Sequence, residues 1–367
     1  MSTASGTNNP VFAVIMAGGS GTRFWPYSRR RRPKHLLEIF GGTSLLQETV
    51  SRLGPLIPPE RILVVTAREH ARAVICQLPE LPGENIIIEP VGRNTAPCIG
   101  LAAEYIQRRA KDAIMVALPA DQLINDRDGF RRTLAFAIET AILHESLITI
   151  GMEPTAPETG YGYIQTGELA EESKGNKAYQ VRAFREKPSP ALAREFLSRG
   201  DHLWNSGIFI WQVKVIREAL KKYLPALSRL LGKIGPAMGT TKEKKTLASC
   251  YRQMEGVSID YGVMEKADKV LVIPGGFDWR DMGSWDAFWE LADKDPQGNA
   301  VKSGNEIVID TKNCLAVSPG KLVALVGVED LLVVETKDTL LVCKRGRSQE
   351  MRAVTDALAG QGKKEYL

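Results

Sequence analysis

Three glycines in four positions, Gly18, Gly19 and Gly21, follow an apolar run of strand length and composition, Val11-Phe12-Ala13-Val14-Ile15. With no side chains in the way, the backbone N–H groups of such a loop can turn toward an anion and approach it closely. Arg23 and Lys34 add fixed positive charge on either side. A strand, a bare loop and two cations suit a triphosphate bound at the carboxyl end of a parallel strand. The loop is not a Walker A motif, since no Gly-Lys-Ser/Thr closes it. Nor is it the dinucleotide fingerprint, because Phe24 stands where a third glycine belongs. A bare glycine cluster is equally a tight strand-to-helix turn.

Carboxylates form the second set. Asp121 follows Val116-Ala117-Leu118-Pro119-Ala120, and Asp281 lies within Phe277-Asp278-Trp279-Arg280-Asp281-Met282-Gly283-Ser284-Trp285. Mg²⁺ takes oxygen ligands and is usually held by one or two carboxylates plus phosphates and water. Either aspartate is also a turn or helix-cap residue by type, and Asp278 competes with Asp281. Glu89 opens Glu89-Pro90-Val91-Gly92-Arg93-Asn94-Thr95-Ala96-Pro97. A carboxylate there can accept from guanine N1–H and its 2-amino group, or be an ordinary strand-end glutamate. Asn94 and Thr95 can cap the following helix or meet ribose or phosphate near its N-terminus. Three further pieces suit a sugar phosphate. Gly160-Tyr161-Gly162-Tyr163-Ile164 permits close backbone approach. Phe184-Arg185-Glu186-Lys187-Pro188 offers a carboxylate for hydroxyls and an ammonium for phosphate. Trp204-Asn205-Ser206-Gly207-Ile208-Phe209 offers an amide.

Joined in this order, the motifs resemble those of the sugar-nucleotide pyrophosphorylases. Phe24-Trp25-Pro26 with Pro33-Lys34-His35 is most similar to the mannose-1-phosphate guanylyltransferases. The resemblance runs from Val11 to about Leu291 with six motifs, and more weakly through Gly327-Val328-Glu329-Asp330-Leu331. It implies guanylyl transfer from GTP to mannose 1-phosphate, giving GDP-mannose and pyrophosphate by metal-assisted in-line attack. Arg23 and Lys34 would then be catalytic. Ala17, Gly18, Gly19, Gly21, Thr22, Glu89, Asn94 and Thr95 would bind the nucleotide. Gly162, Glu186, Lys187 and Asn205 would contact the sugar 1-phosphate. Asp121 and Asp281 would hold Mg²⁺ or another divalent cation, Asp281 being preferred on the W-x-D-x-G pattern. One departure is Gln122, where relatives often carry histidine. The chain also ends without the cupin-like isomerase domain of longer relatives, so one activity is expected. The alternatives are another sugar 1-phosphate or nucleoside triphosphate on the same fold, or a catalytically silent GDP-sugar sensor.

These residues need a scaffold. Strand-like runs (Val11–Met16, Arg61–Thr66, Ile86–Glu89, Ile114–Leu118, Leu147–Ile150, Tyr179–Arg185, Ile208–Gln212, Val270–Pro274) alternate with helical patterns such as Ala96–Arg109, Phe130–His144 and Lys214–Tyr223. Alternation with short connections predicts an α/β, Rossmann-like, mostly parallel sheet flanked by helices. Beyond Asp295-Pro296-Gln297-Gly298 come short β-type runs, with no helix before Ser348–Leu358. They predict a small all-β appendage, β-helix-like by family resemblance. The expected organisation is a loose tail over 1–10, a catalytic domain over 11–291 and a β domain over 292–367. The β domain's open edges point to a homodimer.

Composition narrows the classes. Over 367 residues, 44% hydrophobic, 25% charged and 7% aromatic content is that of an ordinary globular protein. No apolar run reaches membrane-spanning length. The N-terminus has no basic segment followed by an apolar one, so no secretory signal is expected. Five scattered cysteines without a C-x-x-C pair support neither a disulfide framework nor a zinc site, and a cytoplasmic setting is expected. Much of the net charge of +5 sits in Arg29-Arg30-Arg31-Arg32, read as phosphate-facing or solvated. No aromatic-interleaved motif accompanies it, so nucleic acid is not an expected partner. The histidines lack ligand spacing, and Trp279, Trp285 and Trp289 are expected in packing.

Overall fold

The computed structural model describes residues 9–19, 21–38 and 42–367; most of the expected N-terminal tail lies outside that range. In chain order the strands are β1 (Val11–Ala17), β2 (Ile62–Ala67), β3 (Ile86–Glu89), β4 (Ile114–Pro119), β5 (Gln122–Leu123), β6 (Leu147–Met152), β7 (Tyr163–Ser173), β8 (Asn176–Arg185), β9 (His202–Gln212), β10 (Val270–Pro274), β11 (Arg280–Asp281), β12 (Ala300–Lys302), β13 (Glu306–Ile309), β14 (Leu315–Val317), β15 (Val323–Val326), β16 (Leu331–Glu335) and β17 (Leu340–Lys344). The α-helices are α1 (Leu45–Leu53), α2 (Ala71–Gln77), α3 (Thr95–Arg109), α4 (Arg127–His144), α5 (Pro190–Arg199), α6 (Val213–Tyr223), α7 (Pro225–Ile234), α8 (Glu243–Gln253), α9 (Trp285–Leu291) and α10 (Met351–Gly360). No helix among the described residues is long and apolar enough to cross a membrane.

The chain divides into two compact units that do not follow chain order. The larger comprises Met1–Gly18, Gln47–Ala120 and Ile124–Trp279; the smaller comprises Gly19–Leu46, Asp121–Leu123 and Arg280–Leu367.

The larger unit carries a nine-stranded sheet in the order β3-β2-β1-β4-β9-β6-β10-β8-β7, with β7 also pairing β9. β1 pairs in parallel with β2 and β4, β2 with β3, and β6 with β10. β7, β8 and β9 run antiparallel to their neighbours. The central strands read as continuous apolar runs because both faces are covered: Ala13, Val14, Ile15 and Val116 are fully buried. Their core includes Val14, Leu63, Ile99, Trp211, Tyr251 and Val272. Two elements exceed the sequence reading. α7 begins at Pro225 directly after α6; proline is tolerated in a first helical turn, so it opened a helix there instead of ending the helical region. β7 continues through Glu168–Glu172 because much of it is solvent-facing and tolerates charge.

The smaller unit stacks short parallel strands: Ala300 pairs Leu315, and Leu315 pairs Leu332. β13 pairs β15 in the same way, while β17 closes antiparallel on β16. The unequal coil lengths explain why the repeat is irregular in sequence. Leu315, Leu332 and Val334 pack with Phe24, Trp25, Leu37, Met282, Trp285 and Phe288 in one core. Two motifs that read as chemistry are therefore partly packing. The Trp285 indole N–H donates to Trp25 O at 2.9 Å, and the Trp25 indole donates to Tyr366 O at 2.8 Å.

The Arg29–Arg32 expectation needs correcting at its first residue. The Arg29 guanidinium is neither phosphate-facing nor merely solvated: it pairs with Asp338 at 2.9 Å, bonds Thr339 Oγ1 and lies over the Trp25 ring. Arg30, Arg31 and Arg32 are exposed on the adjoining tight turn.

Candidate active site

In the smaller unit, the loop that leaves β1 is shaped by Lys34. Gly21 has φ +61°, and a Cβ there would lie 2.4 Å from Lys34 Cβ and 2.9 Å from Lys34 N. Only glycine meets both demands, the left-handed backbone and the contact with the lysine stem. Gly19 is exposed, and a Cβ on it would meet nothing within 4 Å, so its backbone lies open. Thr22 opens a single 3₁₀ turn that Trp25 N–H closes on Thr22 O. Pro33 precedes a second such turn, Lys34–Leu36.

Lys34 is buried, and its Nζ lies 2.8 Å from Asp121 Oδ2 and 3.5 Å from Asp281 Oδ1. The pairing of β5 with β11, which puts Asp281 opposite Gln122, brings the two aspartates to one lysine. Burial works against ionisation of Asp121, but Lys34, His35 and Arg23 outweigh it and hold its carboxyl below the usual range. Asp121 and Asp281 keep 37% and 29% of their side chains exposed, which leaves oxygens for a further ligand. Two accessible carboxylates converging within one ammonium's reach fit a hard divalent cation that also takes phosphate and water oxygens. Among the described residues no three His, Cys, Asp or Glu side chains cluster as a metal cage. Arg23 is exposed and donates to Gln349 Oε1 at 3.1 Å. A Cβ on Gly283 would lie 3.3 Å from its Nη1, so that glycine gives the guanidinium room.

Asp278 belongs to the larger unit. Its Oδ1 accepts from Asn125 N (2.9 Å) and Asp126 N (2.6 Å), which occupies it as a loop brace.

In the same larger unit, Ala17 ends β1 and its carbonyl accepts from Thr66 Oγ1 at 3.0 Å. Glu89 ends β3, buried, with Oε2 3.5 Å from where a Gly18 Cβ would lie. The Tyr251 hydroxyl donates to Glu89 Oε1 at 3.1 Å. Burial pushes the Glu89 carboxyl up to about 7, the Tyr251 bond working the other way. Asn94 holds φ +71°, and its side chain accepts from Thr95 N at 2.9 Å, as an α3 cap. Thr95 Oγ1 accepts from Ile259 N at 2.8 Å, and Ala96 N donates to Val257 O.

Gly162, Glu186 and Asn205 come together on the sheet. A Cβ on Gly162 would lie 2.5 Å from Glu186 Oε2 and 3.2 Å from Asn205 Cβ, so glycine alone leaves the space open. Asn205 N donates to Gly162 O at 2.8 Å. Lys187, at φ +47°, turns its Nζ to within 3.0 Å of Glu186 Oε1. Burial works against the Lys187 charge, and Glu186 more than offsets it. Glu186 Oε2 is buried without a hydrogen-bond partner. Tyr161 packs edge-on against Trp204 and Trp279.

Sequence reasoning missed Tyr251, Gln349, Asp260 and Glu265. Asp260 accepts from Asn205 Nδ2 at 2.8 Å, and Glu265 accepts from Glu186 N at 2.8 Å. A usable signal was two acids in the otherwise apolar run Ile259-Asp260-Tyr261-Gly262-Val263-Met264-Glu265.

Residues 12–298 match the family model for nucleotidyl transferases, and residues 304–358 match the model of a MannoseP isomerase/GMP-like beta-helix domain. A mannose-1-phosphate guanylyltransferase of Klebsiella pneumoniae is 41% identical over 97% of this chain and 75% of its own length. The alginate biosynthesis protein AlgA of Pseudomonas aeruginosa is 37% identical over 97% of this chain and 73% of its own. Among solved structures, the mannose-1-phosphate geranyltransferase of Thermus thermophilus superposes with a TM-score of 0.83 at 35% identity, covering 95% of this chain and 99% of its own.

Proposed function

The chain belongs to the nucleotidyl transferase family, and on that footing we propose that it transfers a guanylyl group from GTP to mannose 1-phosphate, giving GDP-mannose and pyrophosphate. The observation that carries this reading is 41% identity along nearly the whole chain to a relative named for that reaction.

The reaction needs no general base, because the sugar phosphate is already an anionic nucleophile. Its oxygen bonds to the α-phosphorus, the bond from that phosphorus to the bridging oxygen breaks, and pyrophosphate leaves with the electron pair. The obstacle is repulsion between two polyanions. Lys34 sets a buried ammonium for the α-phosphate, and Arg23 forks onto the outer phosphates. The backbone from Ala17 through Gly18, Gly19 and Gly21 to Thr22 supplies N–H donors. A Mg²⁺ or similar ion held by Asp121 and Asp281, when bound, supplies further positive charge for the phosphate oxygens. Glu89 reads guanine, with Asn94 and Thr95 beside it at the α3 start. Gly162, Glu186, Lys187 and Asn205 hold the sugar 1-phosphate, the unpartnered Glu186 oxygen accepting from a hydroxyl. All five cysteines are free, in keeping with a cytoplasmic setting.

The working form is a homodimer through the β domain. Ile307 pairs Ala324 and Ile309 pairs Val326, so one face of β13 and β15 presents exposed Ile307, Ile309 and Val326 side by side. A second copy would cover it.

Product formation across a matrix of nucleoside triphosphates and sugar 1-phosphates tests the reaction, with EDTA, Asp281→Ala and Asp278→Ala controls. The expected result is GDP-mannose from the GTP and mannose 1-phosphate pair, abolished by EDTA and by D281A. D278A should lose stability more than rate. Turnover with another pair overturns the specificity, and turnover in EDTA overturns the metal role.

A further inference from the structure

The amide of Asn205 is oriented from three sides. Gly207 N–H can only donate, and it reaches Asn205 Oδ1 at 3.1 Å. The Thr149 hydroxyl meets the same oxygen at 3.1 Å. Gly207 has φ +72°, a conformation that favours glycine. The amide nitrogen is thereby turned to Asp260 Oδ1, 2.8 Å away. One of its two N–H groups is then used and one remains.

We propose that Asp260 is a positioning residue for the sugar 1-phosphate, acting by fixing the Asn205 amide so that it offers a donor. The proposal rests on reading the Gly162–Glu186–Asn205 cluster as the sugar-phosphate site. The remaining Asn205 N–H and the unpartnered, buried Glu186 Oε2 are one donor and one acceptor. A hydroxyl both gives and takes a hydrogen bond, so one sugar hydroxyl satisfies both groups.

Glu186 is held from the same segment. Glu265 accepts the Glu186 backbone N–H at 2.8 Å, and Glu265 N–H closes on Asp260 O at 2.9 Å. That i to i+5 bond belongs to a π-type turn, Asp260–Met264, a form that recurs at functional sites. The two acids at its ends thus hold the two residues that would hold the sugar. Burial and the neighbouring Glu186 push the Asp260 carboxyl up to about 6. A half-buried acid next to another acid is a costly arrangement for mere structure.

Steady-state kinetics of the full chain with Asp260→Ala and Asp260→Asn tests the role. D260A should raise KM for mannose 1-phosphate by about tenfold or more while KM for GTP stays within about twofold. D260N, whose side-chain oxygen accepts the same Asn205 N–H, should restore most of the loss. A reversed pair, Asp260→Asn with Asn205→Asp, covers the case in which D260A does not fold. It keeps the mutual hydrogen bond but turns every Asn205-position oxygen into an acceptor. It should therefore melt near wild type, bind GTP normally and keep a high sugar KM. Full rescue by the reversed pair would overturn the proposal, as would equal rises in both KM values or a D260N as impaired as D260A. If wild type turns over a different sugar 1-phosphate, the proposed substrate falls. The same KM split, read on the sugar phosphate it does use, still decides Asp260.

Discussion

Glu89 titrates near neutrality because folding strips water from its carboxyl and the Tyr251 hydroxyl returns only part of what water gave. Its ordinary value is 4.5 and its folded value about 7, so the folded chain binds more protons between them. Stability from this group therefore falls as pH rises from 4.5 to about 7. Above that the whole penalty is present, on the order of 3 kcal/mol. Glu89→Gln should raise the melting temperature at pH 8, with the advantage gone below pH 4.5; melts across that range check it. The proposed reading of guanine by Glu89 requires the ionised form, since guanine N1–H and its 2-amino group are both donors. KM for GTP should accordingly fall as pH rises through about 7, and E89Q should lose that dependence together with the preference for GTP. An unchanged preference would remove the base-reading role.

The glycine loop and the elements around it work as a clamp on Lys34. Gly21 supplies the left-handed turn and the missing Cβ, and β5 with β11 supplies the two carboxylates. Phe24, Trp25 and Trp285 bury the flanks of the loop, so Lys34 is fixed by packing as well as by charge. Gly21→Ala should push the lysine stem away from Asp121 and Asp281. We expect a loss of about 1–3 kcal/mol in stability, read by urea unfolding. A fall of about a hundredfold in kcat should accompany it, read by pyrophosphate release. The Val257–Glu265 stretch is the matching element of the larger unit, bonded to Thr95 and Ala96 at the start of α3 and to Asn205 and Glu186 on the sheet.

At the scale of the whole molecule, chain order and compact units part company: Gly19–Leu46 and Asp121–Leu123 pack with Arg280–Leu367. The exposed strip of Ile307, Ile309 and Val326 belongs to that unit. Ile309→Lys with Val326→Lys should convert a dimer to a monomer in light scattering after size exclusion. A monomeric wild type would remove the proposed interface. By itself the sequence determined the alternating α/β scaffold, the short β-type runs after Gly298 and the motif residues at strand ends. These are legible because apolar periodicity, glycine and proline act within a few residues of themselves. Ser348–Leu358 and α10 nearly coincide for that reason. The tertiary structure alone decided that Lys34 stands between Asp121 and Asp281, that Asp278 braces Asn125 and Asp126, and that Asp260 orients Asn205. Such pairings join residues tens to hundreds of positions apart. They depend on strand order and register, which long-range packing sets and no local pattern encodes.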